Sequence, residues 1–188
     1  SVLVGDFLYA RAFEMMVELG SLPVMQVLSR ATTVIAEGEV LQLMNVKNPD
    51  VSEEQYMEVI HNKTAMLFQA ASHTGALLAG ASPEQEQALK DYGKHLGLAF
   101  QLVDDALDYT GDAEAMGKNV GDDLAEGKPT LPLIYAMANS SEEHRQLIRN
   151  AIRKGGLDDL PRILEIVNDS GALEYTLGKA REQAALAK

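Results

Sequence analysis

The chain contains no cysteine and no tryptophan among its 188 residues. Without cysteine there is no disulfide and no thiolate zinc site, which fits a reducing compartment such as the cytoplasm. Basic residues are scarce. Sixteen Lys and Arg against 28 Asp and Glu leave a formal net charge of −12, the wrong sign for a nucleic-acid partner. No stretch approaches the roughly 18 continuous apolar residues of a transmembrane segment, and no signal peptide is visible. Nothing alternates with the two-residue period of a strand. Neither GxxxxGK[ST] nor GxGxxG occurs, which removes the common glycine-rich phosphate loops. The four histidines, His61, His73, His95 and His144, have no metal-ligand spacing and read as structural or exposed.

What is present is helical periodicity. It predicts helices over 2–19, 23–44, 53–74, 83–108, 130–139, 141–154, 160–169 and 172–187. Ser52-Glu53-Glu54-Gln55, Ser82-Pro83-Glu84-Gln85 and Ser140-Ser141-Glu142-Glu143 read as capping boxes, the second with proline at the first helical position. Asn48-Pro49-Asp50 and Gly155-Gly156 punctuate as turns. No repeat, low-complexity tract or linker divides the chain, and its length suits one domain over 1–188 with a sizeable core. The expected architecture is all-α, a bundle of long helices. Ser1-Val2-Leu3-Val4 opens on apolar residues as though a helix were entered midway. Natural termini usually fray into polar residues, so we expect this chain to be part of something longer.

The run Phe100-Gln101-Leu102-Val103-Asp104-Asp105-Ala106-Leu107-Asp108 is the most informative stretch. At about 100° per residue, Gln101, Asp104, Asp105 and Asp108 share one stripe, and Phe100, Leu102, Val103, Ala106 and Leu107 take the remaining arc. Like charges at i,i+3 and i,i+4 repel, and the C-terminal end of a helix is where carboxylates are least comfortable. The stripe is therefore either solvated or loaded with a divalent cation. The flanks, apolar almost all round through Leu89, Tyr92 and Leu96, indicate a central helix and favour the cation. Mg²⁺ suits oxygen ligands and shares them with substrate phosphates. The segment from Tyr109 to Pro129 follows, with four glycines and with Lys118 and Lys128, which can close over an anion or simply lie in solvent. It fails as a calcium loop, since Met116 and Asp123 would stand where acidic and bidentate ligands are needed. Lys63, inside an apolar helix beside Thr64, either snorkels to the surface or holds a diphosphate facing the stripe.

The same run resembles the second aspartate-rich motif of the trans-prenyl diphosphate synthases. Gly5-Asp6-Phe7-Leu8, Glu37-Gly38-Glu39, Lys63-Thr64-Ala65, Gly117-Lys118 and Asp123 through Pro132 resemble other signatures of that family, in its order. The likeness runs over essentially the whole chain and is strongest to the bacterial long-chain members, which make quinone side chains. It implies a bundle of mostly antiparallel helices around a central cavity, of the isoprenoid synthase type, and a homodimer. It also implies a Mg²⁺-dependent prenyltransferase that elongates an allylic diphosphate, farnesyl diphosphate, with isopentenyl diphosphate. By the same resemblance Asp104 ligates Mg²⁺, with Asp105 and Asp108 supporting the ion directly or through water. Lys63, Lys118 and Lys128 bind the allylic diphosphate, and Thr64 and Gln101 place their oxygens near the developing cation.

One departure stands out. The family carries a first DDxxD-like motif on an earlier helix, followed by an arginine pair, and neither precedes Asp104 here. Asp122-Asp123-Leu124-Ala125-Glu126 has DDxxE spacing but lies downstream of the second motif and is not accepted as the missing site. The chain is expected to be the C-terminal portion of a longer prenyltransferase domain, inactive alone. Two other readings compete. One is a terpene synthase, which would carry an NSE-type motif where DDxxD stands. The other is a non-catalytic regulatory or partner subunit. In helix 2–19, Phe7, Phe13, Met15, Met16 and Leu19 are candidates for the floor of a product tunnel, or for core or dimer contacts.

Overall fold

A computed structural model describes residues 2–110 and 120–188 of the chain. Among them every regular element is helical: α1 (Val2–Leu19), α2 (Leu22–Asn45), α3 (Glu53–Ile60), α4 (Met66–Leu78), α5 (Pro83–Leu107), α6 (Asp122–Ala125), α7 (Leu131–Ala138), α8 (Glu142–Lys154), α9 (Leu160–Asp169) and α10 (Ala172–Leu186). None is long and apolar enough to cross a membrane. Serine caps set several starts. Ser52 and Ser82 form reciprocal capping boxes with Gln55 and Gln85, each returned bond 2.9 Å long. The third expected box is not one: Ser141 is the cap, its Oγ accepting from His144 N–H at 3.2 Å, so the helix starts one residue later and no Glu stands at the third position.

The expected helix 53–74 differs in two ways. It continues to Leu78, where Gly80 (φ +66°) takes the left-handed conformation and Ala81 N–H bonds to Ala76 C=O, a Schellman stop. It is also interrupted by one π-helical turn, His61–Ala65, whose following Met66 N–H reaches back to the His61 carbonyl. The short helix α6 was not expected at all.

Two apolar clusters hold the bundle. Leu124, Leu133, Ile148, Ile152, Ile163 and Val167 join α6 to α9 beside Tyr109. Tyr56, Ile60, Ala65, Leu98, Leu102 and Leu131 lie beneath the acidic stripe, linking α3, the π turn, α5 and α7. α4 and α10 pack along α5. A Cβ on Gly93 would come within 2.5 Å of the Phe68 carbonyl and 2.8 Å of Gln69 Cα, so α4 and α5 touch backbone to backbone.

α5 is central on only part of its circumference. Leu98, Leu102 and Ala106 are buried, as the expected central helix requires, while Leu89, Tyr92, Leu96, Phe100 and Val103 are exposed on its other side. α1 is similar: Met16 is buried, while Phe7, Met15 and Leu19 are exposed and Phe13 is half-buried.

The packing predicts opposite outcomes for two glycine substitutions in adjoining helices. Gly75, in α4, has nothing within 4 Å of where a Cβ would sit. Gly75→Ala should stabilise the fold by about 0.5–1 kcal/mol, the ordinary helix-propensity gain. Gly93→Ala should destabilise by about 1–3 kcal/mol through overpacking. Urea midpoints of the two variants check the sign of each.

Candidate active site

The acidic stripe, the π turn and the end of the segment after α5 enclose a cavity of about 380 Å³. Its lining includes Lys63 and Thr64 from the π turn, Gln101, Asp104, Asp105 and Asp108 from α5, Asp122, Asp123 and Glu126 from α6 and its cap, and Lys128. Every expected site residue among those described therefore reaches one space. Lys118 lies outside the described residues.

The π turn is held from two sides. A Cβ on Gly38 of α2 would sit 2.7 Å from the Lys63 backbone nitrogen, and one on Gly97 of α5 would sit 2.6 Å from Ala65 Cα. The backbone carrying Lys63 and Thr64 is thus pinched between two glycines. Lys63 does not snorkel. Its Nζ donates to Gln42 Oε1 at 2.9 Å and pairs with Glu39 Oε2 at 3.1 Å, both on α2. Lys128 Nζ pairs with Glu126 at 2.6 Å and Asp123 at 3.4 Å. Burial works to lower the Lys128 ammonium, but these carboxylates outweigh it and hold its pKa above the ordinary value.

The three motif aspartates occupy different environments. Asp104 is half-buried on the cavity wall, 3.4 Å from the Gln101 amide nitrogen. Asp105 is buried at 4% exposure; Tyr56 Oη donates to its Oδ2 at 2.6 Å and Gln101 Nε2 to its Oδ1 at 2.7 Å. Asp108 is half-buried and accepts the Asp123 N–H at 3.1 Å, so it caps α6. Thr64 Oγ1 donates to Gln101 Oε1 at 2.9 Å, which sets the two oxygens side by side. Burial pushes the Asp105 carboxyl up to about 7 against the pull of its hydrogen bonds. Burial, then the charge on Asp123, pushes Asp108 up to about 6. Asp123 is raised by burial too, with Lys128 opposing.

Among the described residues, six carboxyl groups and two ammonium groups line the cavity. No three Asp, Glu or His side chains among the described residues converge as a ready-made metal cage. The donor chemistry nevertheless fits Mg²⁺. The oxygens are hard, their charge is in surplus and partly desolvated, and Mg²⁺ is ordinarily held by one or two carboxylates with the substrate's phosphates completing the shell. Tyr56, Gln42 and the α6 aspartates were not among the expected site residues. For Tyr56 the available signal was its own chemistry, since a buried tyrosine hydroxyl needs a partner.

The fold and this cavity define an all-α isoprenoid synthase architecture. The polyprenyl synthetase family model matches residues 1–167, and the chain belongs to that family. It is 59% identical over 185 residues to octaprenyl diphosphate synthase of Escherichia coli K12, covering 98% of this chain and 57% of that protein. It is 50% identical over 183 residues to the geranyl-diphosphate-specific all-trans-nonaprenyl-diphosphate synthase of Rhodobacter capsulatus, covering 97% and 56%. Among solved structures, polyprenyl synthase from Caulobacter crescentus CB15, complexed with calcium and isoprenyl diphosphate, superposes with a TM-score of 0.94 at 52% identity, covering 99% of this chain and 57% of that one. The chain thus spans well under two thirds of the length of these relatives.

The buried carboxyls give the fold a pH signature. A carboxyl whose folded-state pKa lies above its unfolded value binds more protons folded than unfolded. Its stabilising contribution is therefore full below the unfolded value and lost as pH rises through the folded one, here from about 4 to about 7 for Asp105. Without divalent ions the chain should melt lower at about pH 8 than at about pH 5, and Mg²⁺ should raise the melting temperature more at the higher pH. Thermal melts in chelator and in Mg²⁺ test this; equal Mg²⁺ shifts at both pH values would contradict it.

Proposed function

We propose that this chain carries the allylic-diphosphate wall of a trans-polyprenyl diphosphate synthase. The enzyme elongates farnesyl diphosphate with isopentenyl diphosphate to a long-chain, octaprenyl product. The observation that carries the reading is the convergence of the Gln101–Asp108 stripe, Lys63, Thr64 and Lys128 on one cavity. Among the described residues six carboxyls face two ammonium groups, a balance that repels a bare anion, and we assign entry of the diphosphate to its complex with divalent cations. Asp104 and Asp108 are the residues we assign to hold Mg²⁺, which when bound supplies charge that makes diphosphate a better leaving group.

The protein's own groups account for the rest. Lys63 and Lys128 exchange their carboxylate partners, Glu39 and Glu126, for diphosphate oxygens, forming charge-assisted hydrogen bonds to the leaving group. We assign Lys118 the same role. The paired oxygens of Thr64 and Gln101 face the carbon that becomes electron-poor as its C–O bond breaks. Isopentenyl diphosphate then donates its double-bond electrons to form the new C–C bond, and the released diphosphate takes the proton that restores an alkene. Apolar walls keep water from quenching the cation. The exposed apolar residues of α1, among them Phe7, Leu8, Met15 and Val17, are the surface we assign to a second copy.

The sequence holds no DDxxD before Asp104, and we therefore assign turnover to the complete reading frame that encodes this chain rather than to its 188 residues alone. A radiolabelled isopentenyl diphosphate assay with farnesyl diphosphate and Mg²⁺ should give long-chain product from the complete frame and none from the chain by itself. No product from either folded protein would favour a non-catalytic subunit. Binding isolates the lysine role. Lys63→Ala should weaken Mg²⁺-pyrophosphate binding about 10- to 100-fold, the worth of one charge-assisted bond. Lys154→Ala, removing an exposed lysine paired with Asp158, should leave it unchanged by calorimetry.

A further inference from the structure

Four side chains from three separate elements form one hydrogen-bonded chain under the cavity. Tyr56 of α3 donates to one edge of the Asp105 carboxylate at 2.6 Å. Gln101, one turn earlier on α5, donates to the other edge at 2.7 Å, and Thr64 of the π turn donates to the Gln101 carbonyl at 2.9 Å. The direction of each bond follows from chemistry. Gln101 Nε2 lies 2.7 Å from Asp105 Oδ1 and 3.4 Å from Asp104 Oδ2, so the NH₂ edge of the amide meets two carboxyl groups. The carbonyl must then face Thr64, whose hydroxyl hydrogen is used on it. What remains for the cavity is lone pairs: those of Thr64 Oγ1 and the second pair of Gln101 Oε1.

We propose that Tyr56 and Asp105 are positioning residues that fix the Gln101 amide with its oxygen toward the cavity, and that Asp105 serves this purpose rather than metal ligation. This rests on the proposed prenyl-transfer reading. Both edges of the Asp105 carboxylate are engaged, and the residue is 4% exposed. Tyr56, equally buried at 4%, has its ring in the apolar cluster with Ile60, Ala65 and Leu102. Its hydroxyl is thus the rigid end of the chain. With that hydroxyl removed, Asp105 is held only by Gln101, and the amide loses its fixed partner geometry. The active-site oxygens are then presented by a side chain free to turn over, while the lysines that grip a diphosphate are untouched.

The test uses Tyr56→Phe, which deletes one oxygen and keeps the ring. In the unmodified chain, the NMR signals of the Gln101 side-chain NH₂, identified by selective labelling, should be displaced from free-amide positions and slow to exchange with solvent. In Tyr56→Phe they should move toward free-amide positions with faster exchange. In the complete reading frame, kcat should fall roughly 10- to 100-fold, as expected for misplaced reacting groups, with KM for farnesyl diphosphate unchanged within about twofold. Free-amide, fast-exchanging Gln101 signals in the unmodified chain overturn the proposal even if the variant fails to fold. An unmoved Gln101 signal in a folded Tyr56→Phe overturns it as well, and so does a tenfold rise in KM at constant kcat. Failure of the complete-frame protein to bind farnesyl thiolodiphosphate with Mg²⁺ would instead reject the prenyl-transfer reading, and the NMR comparison would still decide the role of Tyr56.

Discussion

A surplus of desolvated carboxylates at the end of one helix is the constraint around which this molecule is arranged. Asp104, Asp105 and Asp108 project from the last turns of α5, where the helix dipole and their mutual repulsion both oppose charge. Each meets that opposition differently. Asp105 takes hydrogen bonds from Tyr56 and Gln101, and Asp108 takes the first backbone N–H groups of α6, where the positive end of a helix favours an anion. Asp104 stays on the cavity wall. The motif is therefore three residues in three electrostatic settings, crowded on one helix end. A site built this way has a structural reason to take up divalent cations, independent of any chemistry they later support.

The second organising element is the π turn at His61–Ala65. An extra residue within a helical turn shifts the phase of everything after it, so Lys63 and Thr64 face the cavity while α3 and α4 keep their own apolar contacts. Holding that turn against α2 and α5 needs backbone-to-backbone contact, and Gly38 and Gly97 provide it. Both lysines described in the cavity rest against carboxylates, Glu39 for Lys63 and Glu126 for Lys128. Binding an anion is then an exchange of partners rather than the creation of new charge.

Much of this was legible in the sequence, for physical reasons that also explain the failures. The shared face of Gln101, Asp104, Asp105 and Asp108 is a consequence of helical period and needed no tertiary information. Capping serines at 52 and 82 marked helix starts because the cap is a local interaction, three residues long. Tyr56 was missed because its partner lies 49 residues away, and no local pattern encodes that contact. The π turn was missed because hydrophobic periodicity averages over several turns and does not register one displaced hydrogen bond. Apolar flanks indicate a central α5, yet Leu89, Tyr92, Leu96, Phe100 and Val103 are exposed, because apolar residues around a helix say that faces can be covered, not which ones are. Asp123 and Glu126 were judged by motif order and set aside, yet the fold brings them to the same cavity as the second motif.

The pinch on the π turn has a mechanical consequence. At Gly38 of α2 a side chain would run into the backbone at Asn62 and Lys63. Any register of α2 that put another residue in place of Gly38 would drive a Cβ into main-chain atoms, and Gly97 imposes the same condition from α5. The two glycines act as a detent: the helices seat at one axial position and resist translation on either side of it. The register of α2, the π turn and α5 is thereby fixed by main-chain contact, and it does not depend on how the surrounding side chains are packed.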